Sequence, residues 1–511
     1  MKNQFITIRN VSIPALFIAF LGVTGCKKNN DNNSGNNQTG TTTQIDSTGV
    51  TTGTAEGLNY TGATADDTYA PTDFPTTVTI AFSATGATLT PATTAGVTIA
   101  QSGGDVTVTS TATGVQYTVS GTTSNGSLKI YSDKKFLVTL SGADITNADG
   151  PALNIQSKKR AFIVVADGTT NKLTDGVTYA SSKEDQKATL FSEGQLVFSG
   201  NGTLNITGNN KHGICSDDYI RVVNGNINVL SSKSDGIHVN NAFIADGGKI
   251  TINSGTDGIE AEEGNIIIND GTIKVTSVGK SIVTSYDDND ESVARYIVIN
   301  GGNINVKSSA DEGISSKGSL TVNKGNVSSS ASDDGFKADS AIYINGGYIY
   351  ANSSANDGMD SNGNFDLNGG TVVAIGSAVT ESGIDCDDRQ FKITGGQLIA
   401  TGGSTSAPSA SSTVNSVILG AGTAQIIHIE SSNGVEALTF QAPTTYATLV
   451  FASAKLKANT AYNVYTGGSM ASPLGFNGLF TGGTYTKGAK TAVTFTTSGV
   501  VTKVGGVITT N

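Results

Sequence analysis

Between His212 and Asp388 the chain repeats a glycine–apolar step eight times, usually behind an acid. The complete forms are Asp235-Gly236-Ile237, Asp257-Gly258-Ile259, Glu312-Gly313-Ile314, Asp334-Gly335-Phe336 and Asp357-Gly358-Met359. His212-Gly213-Ile214, Lys280-Ser281-Ile282 and Ser382-Gly383-Ile384 are degenerate versions. The middle residues fall at 213, 236, 258, 281, 313, 335, 358 and 383, so the spacings are 23, 22, 23, 32, 22, 23 and 25. A period of this length restricts the chain to a solenoid, in which each repeat packs only on its neighbours. It also sets like side chains in ladders one strand spacing apart.

A second series identifies the solenoid. Glycines at 202, 225, 248, 271, 302, 325, 347, 370 and 396 each begin a Gly-x-apolar step. Around them apolar residues alternate with polar ones, as in Ile250 and Ile252, Ile304 and Val306, or Ile342 and Ile344. Alternation of period two reads as half-buried strand. Asn300-Gly301-Gly302, Asn345-Gly346-Gly347 and Asn368-Gly369-Gly370 supply the positive φ that a sharp corner needs. Three short strands and three corners fill such a period at roughly 3.3 Å per residue. Helical spacing is absent between residues 180 and 400, and so is the leucine-dominated pattern of a leucine-rich repeat. The expected fold is all-β, a right-handed parallel β-helix of 22–23-residue coils with a C-terminal β-rich cap.

The domain plan follows from composition along the chain. Lys2 and Arg9 precede an apolar stretch from about Val11 to Gly22 that ends in Val23-Thr24-Gly25-Cys26. That pattern reads as a secretory signal rather than a membrane span. A cysteine directly behind small residues has the form of a bacterial lipobox, so residues 1–26 are expected to be a lipoprotein signal peptide with Cys26 as the lipidated residue. Residues 27–74, rich in Asn, Thr, Gly and Ser, are expected to be a flexible tether. Residues 75–180 are expected to start the solenoid, 181–404 to form its repeats and 405–511 to form the accessory β-rich region. The implied address is the bacterial outer membrane or cell surface. Cys215 and Cys386 lie seven coils apart, too far for a disulfide, and Cys386 occupies a small-residue stack position shared with Val239, Ala261 and Ala338.

Charge narrows the partners. The chain carries a net charge of −11, and from His212 to Arg389 there are 25 Asp and Glu against 11 Lys and Arg. Such a surface is a poor partner for nucleic acid and a good one for divalent cations.

Three stretches resemble a known family. They are Val138 to Asn147 with Asp149-Gly150-Pro151-Ala152 and Ala166 to Gly176; Ala188 to Ser192 with Gly200 to Leu204 and His212-Gly213-Ile214; and the acid-Gly-Ile array. Over about residues 75–465 the chain resembles the bacterial carbohydrate-binding domain-containing proteins, pectate-lyase-like β-helices on the surface of polysaccharide-using bacteria. The resemblance implies calcium-assisted binding of plant-type or acidic polysaccharide.

Candidate site residues come from the ladders. On the short strand behind each repeat glycine, the outward pairs of the later coils are Lys337 and Asp339, Asp360 and Asn362, Asp385 and Asp387. Asp339, Asp360, Asp385 and Asp387 would form a grid of carboxylates that repel one another, and Ca2+, which accepts six to eight oxygens, would relieve it. The acids in front of the glycines form a second ladder, and there an Asp can instead stabilise its own turn. The insertion Tyr286 to Glu291 is an acidic loop that lacks the glycine of a helix-loop-helix calcium site. With no Trp, sugar rings would stack on Tyr343, Tyr348 and Tyr350, with Tyr296 nearby. Lys337 and Arg389 flank the grid and would be the bases of a calcium-dependent lyase. The reading that results is a monomeric surface lipoprotein that binds polysaccharide without turnover. A polysaccharide lyase and a structural adhesin are the alternatives.

Overall fold

The computed structural model describes residues 41–46, 51–53, 64–286, 295–378, 380–387 and 389–509. The signal segment, Cys26 and the insertion from 287 to 291 lie outside them. One coil runs through the strands Ile237–Val239, Ala242–Ala245 and Lys249–Ser254, and the next through Ile259–Ala261, Asn265–Ile268 and Thr272–Ser277. Successive coils pair in parallel, with Ile237 opposite Ile259, Phe243 opposite Ile266 and Ile250 opposite Ile273. The parallel β-helix therefore has three faces. The face of short strands alone contains thirteen described strands, from Val97–Ser102 to Ile384–Asp385.

Coil stacking makes the core a set of columns. Ile214, Ile237, Ile259, Ile282, Ile314, Phe336, Met359 and Ile384 form one column and are all fully buried. Each such side chain contributes roughly 1.5–3 kcal/mol relative to exposure. Cys386 belongs to the same core. Cys215 is also buried, against Ala188 and Phe191, and both cysteines are free thiols.

The solenoid begins earlier than its repeats suggest, since Thr76–Ser83 already pairs in parallel with Val115–Thr123. Its ends are closed by antiparallel strands. Gly86–Thr90 lies on Thr76–Ser83, Val97–Ser102 on Gly104–Ser110, and Thr448–Ser453 on Gln397–Gly402. Such pairing hides the backbone groups of an open edge. Beyond it, a largely C-terminal antiparallel sheet buries Val464 and Phe440 against Phe451 of that capping strand and against Val373, Ile375 and Ile399 on the outside of the last coils.

The Asn-Gly-Gly corners do more than turn the chain. Gly347 has φ +90°, and a Cβ there would sit 2.5 Å from the Gly325 carbonyl oxygen, so the corner accepts only glycine. The asparagines in front form a ladder from coil to coil. Asn300 Nδ2 donates to Asn269 (2.8 Å), Asn323 to Asn300 (2.8 Å), Asn345 to Asn323 (2.8 Å) and Asn368 to Asn345 (2.9 Å). Asn269 in turn donates to Asp246, which accepts from Arg221 Nε at 2.6 Å.

The expected tether over 27–74 is partly docked. Thr42–Ile45 forms an antiparallel strand on Leu479–Thr486, with Ile45 buried beside Ile426 and Tyr485. Gly53 N donates to the Asn345 carbonyl, and Gly370 N donates to that of Thr51. Asp67 is buried between Arg160 (3.1 Å) and Arg221 (2.9 Å) and accepts from the Tyr219 hydroxyl. Tyr69 and Phe74 pack on Phe162. Composition misled here because backbone hydrogen bonds and one buried carboxylate hold these pieces, not a run of apolar residues.

The ladder is testable. Asn345 is 2% exposed, and Asn345→Ala leaves the amide groups of Asn323 and Asn368 short of a partner. The expected loss is about 1–3 kcal/mol of stability, read as a lower midpoint in urea with the circular dichroism of the native state unchanged.

Candidate functional site: carboxylate ladders on the short-strand face

The acids in front of the repeat glycines point into the gap between coils. Asp235, Glu312, Asp334 and Asp357 are buried. The carboxylates of Asp235, Asp257, Asp334 and Asp357 accept from the backbone of the next coil rather than from their own turns. Asp257 N donates to Asp235 Oδ1 at 3.1 Å, Lys280 N to Asp257 Oδ1 at 2.6 Å, Asp357 N to Asp334 Oδ1 at 3.0 Å, and Ser382 N to Asp357. This inter-coil role corrects the expectation of a bond within each turn. The cause is the parallel register, which brings the following coil's ladder amide closer than the turn's own.

Stacking these groups out of water raises their proton affinity. Burial, reinforced by the charges of Asp235 and Glu260, pushes Asp257 up to about 7. Burial and neighbouring Asp311 push Glu312 up to about 7. Asp334 rises to about 6 through burial although Lys337 opposes it, and burial with the charges of Asp334, Asp385 and Asp360 pushes Asp357 to about 8. Three carboxyl clusters result, each with oxygens within 4.8 Å of one another: Asp235, Asp257 and Glu260; Asp311, Glu312 and Asp333; Asp334, Asp357 and Asp360.

The structure distributes the expected grid differently. Lys337, Asp360 and Asp385 stand in register on adjacent strands. Lys337 Nζ lies 2.7 Å from Asp360 and 3.0 Å from Asp334, so an ammonium already bridges the two ladders. Asp339 lies 3.5 Å from Lys317. Asp385 accepts from Ser406 Oγ (3.0 Å) and Cys386 N (2.7 Å), and Asp387 is exposed at φ +39°. Among the described residues, only Asp360 of the four expected ligands falls in a tight cluster, and its companions there are the pre-glycine acids Asp334 and Asp357. Arg389 is exposed.

Residues 102–310 and 293–478 match the family model described as carbohydrate-binding domain-containing protein. The chain belongs to that family. A carbohydrate-binding domain-containing protein of Acetivibrio thermocellus is 33% identical over 118 residues, which are 22% of this chain and 41% of the relative. The chain thus spans less than half the length of that relative. A polysaccharide lyase-like protein from C. thermocellum, solved as a gadolinium derivative, shares 24% identity at a TM-score of 0.41. The likeness covers 52% of this chain and 96% of that one.

For a carbohydrate-binding family the aromatic surface matters, and it is smaller than the sequence implied. Tyr348 is 49% exposed with Phe476 of the C-terminal sheet 5.5 Å from its ring. Tyr350, on the same strand, is half-buried against that sheet. Tyr343 sits half-buried on a different face of the solenoid, and Tyr296 is buried with Ile244, Ile267 and Val298. The expected patch of Tyr343, Tyr348 and Tyr350 is therefore split, because three strands per coil place neighbours in sequence on different faces. A feature the sequence reading missed is a cavity of about 650 Å³ in the cap, lined by Thr42, Gln44, Glu436, Lys455, Lys457 and Lys487 among others. Its signal in the sequence is that only Glu430 and Glu436 oppose Lys455, Lys457, Lys487, Lys490 and Lys503 after residue 404.

The raised carboxyls predict a pH dependence. A group whose folded pKa exceeds its unfolded one gives stability that is lost as pH rises through the folded value. Asp257 and Glu312 lose their contribution between about pH 4 and 7 and Asp357 between about 4 and 8, while His238, pushed up to about 10 by Asp235 and Glu260 against its burial, carries the fall on to higher pH. Buried His212 and His428, both lowered, oppose the trend only below about 6.5. In chelator the melting temperature is therefore expected to fall from pH 7 to 9, corresponding to about 2–4 kcal/mol.

Proposed function

We propose that this protein is a cell-surface lipoprotein that binds an acidic polysaccharide with the help of calcium and does not turn it over. The observation that carries the reading is the packed carboxyl triad of Asp334, Asp357 and Asp360, whose oxygens lie within 4.8 Å of one another on a solenoid of the carbohydrate-binding family. Three carboxyls this close hold protons that a divalent cation would displace, and calcium takes carboxylate oxygens in flexible geometry. Asp385, paired in register with Asp360, extends the site toward Asp387, while Asp339 stands beside Lys317 at its margin. Calcium here would take over the charge that Lys337 now supplies, leaving that ammonium to meet a uronate carboxylate.

Binding without turnover is favoured over lyase chemistry by the state of Lys337. A base must be neutral to accept a proton. Hydrogen bonds and charge from Asp360 and Asp334 outweigh burial and hold Lys337 well above the usual lysine range. Of the two candidate bases only Arg389 is then left, and it is exposed.

Calcium is expected to raise the melting temperature, and chelator to abolish retention on immobilised polyuronate without changing the circular dichroism. Asp360→Ala combined with Asp385→Ala should remove both effects. Equal retention in chelator, or by the double variant, would rule the calcium bridge out and move the glycan to the surface around Tyr348. Appearance of unsaturated-uronide absorbance would establish the lyase instead.

The anchor has its own measurement. Cys26→Ser should move the protein from the membrane fraction into the soluble one, and unchanged fractionation would contradict lipidation.

A further inference from the structure

Two of the three histidines meet at the first repeat coils, away from the Asp360 region. His212 takes the ladder position in front of Gly213, Asp235 takes the same position one coil on, and His238 follows on the strand Ile237–Val239. The imidazoles stack with centroids 4.5 Å apart and planes 24° apart. His212 Nδ1 lies 2.9 Å and His238 Nδ1 3.1 Å from the same oxygen, Asp235 Oδ2. Glu260 Oε2 lies 3.0 Å from His238 Nδ1. His212 is 3% exposed, and among the described residues neither of its ring nitrogens has a hydrogen bond of acceptable direction. A buried imidazole in this state is unfavourable unless something else takes its lone pair.

We propose that His212 Nδ1, His238 Nδ1, Asp235 Oδ2 and Glu260 Oε2 form a binding site for a first-row divalent transition metal, for which zinc is the probe. A tetrahedral zinc with bonds of roughly 2.0–2.1 Å separates its ligand atoms by about 3.3–3.4 Å. The ligand atoms of His212, Asp235 and His238 already lie within 4.8 Å of one another; their edges to Asp235 Oδ2 and the edge from His238 to Glu260, all 2.9–3.1 Å, need to open by only a few tenths of an ångström, and Glu260 joins from the next coil as the fourth ligand. Two neutral imidazoles and two carboxylates balance the charge of the ion, and the nitrogen donors select zinc, copper or nickel over calcium.

The surroundings hold each ligand's other atom, as metal sites require. His238 Nε2 faces Glu262 Oε2 at 3.2 Å, which fixes the ring with Nδ1 turned inward. Asp235 Oδ1 accepts from Asp257 N and from the Thr256 hydroxyl, leaving Oδ2 for the ion. Glu260 Oε1 accepts from Ser285 Oγ at 2.5 Å. The ligands come from three successive coils, so the ion would pin those coils together.

The test uses the metals alone on the whole protein. One equivalent of cobalt(II) should give the visible bands of a four-coordinate nitrogen–oxygen site, zinc should quench them, and a large excess of calcium should not. His238→Gln should abolish the bands. Because His212 is buried and its replacement can disturb folding, the second variant is Glu262→Gln, whose carboxylate is half exposed and only positions His238. It should weaken zinc about tenfold or more with the melting temperature of the zinc-free protein unchanged. Absence of the bands in the natural protein, their persistence in His238→Gln, or displacement of zinc by calcium would each overturn the site. None of these readouts depends on polysaccharide binding.

Discussion

Every coil of this solenoid sits about 4.8 Å above the last, so each side chain lies beside its own counterpart, and each column must tolerate contact with itself. Isoleucine columns gain from this by dispersion and loss of water. Asparagine columns gain because each amide carries a donor and an acceptor, and the chain from Asn269 to Asn368 uses both. Carboxylate columns lose. Two charges at this spacing repel by roughly 3.5 kcal/mol at an effective dielectric near 20, which no single hydrogen bond offsets.

The molecule answers that repulsion in several ways along one face. Backbone amides of the following coil donate to Asp235, Asp257, Asp334 and Asp357. Lys280 stands 3.3 Å from Glu312, and Lys337 spans Asp334 and Asp360. His238 is placed between Asp235 and Glu260. What remains is taken up by protons, which is why Asp357 is lifted to about 8. A face that needs cations this much is suited to exchanging them, and the proposed ligands build on that property.

The coils were legible in the sequence because a solenoid writes its geometry into the period: the glycines at 347 and 370 have positive φ, and the apolar alternation became the buried columns. Both acid ladders were legible, but the more buried one proved to be the acid-Gly-Ile array rather than the grid expected behind the glycines. The asparagine ladder was read as a turn signal alone, since a donor–acceptor chain appears only once the coils are in register. The aromatic patch failed for a related reason. Tyr350 lies under a C-terminal sheet whose placement depends on contacts far apart in sequence.

The docked N-terminal pieces bear on how the rod comes apart. In a stack where each coil touches only its neighbours, melting can start at either end and advance one coil at a time. Asp67 clamps Arg160 and Arg221, which belong to coils two steps apart, while Thr42–Ile45 is sewn into the sheet that covers the far end. Fraying that advances from the first coils must therefore stop at, or break, a contact that spans several coils, and fraying at the last must strip a strand from the opposite end of the sequence. A chain that would otherwise unravel like a loose spring is made to yield cooperatively, and a protease working from the ends finds few short-lived openings to cut.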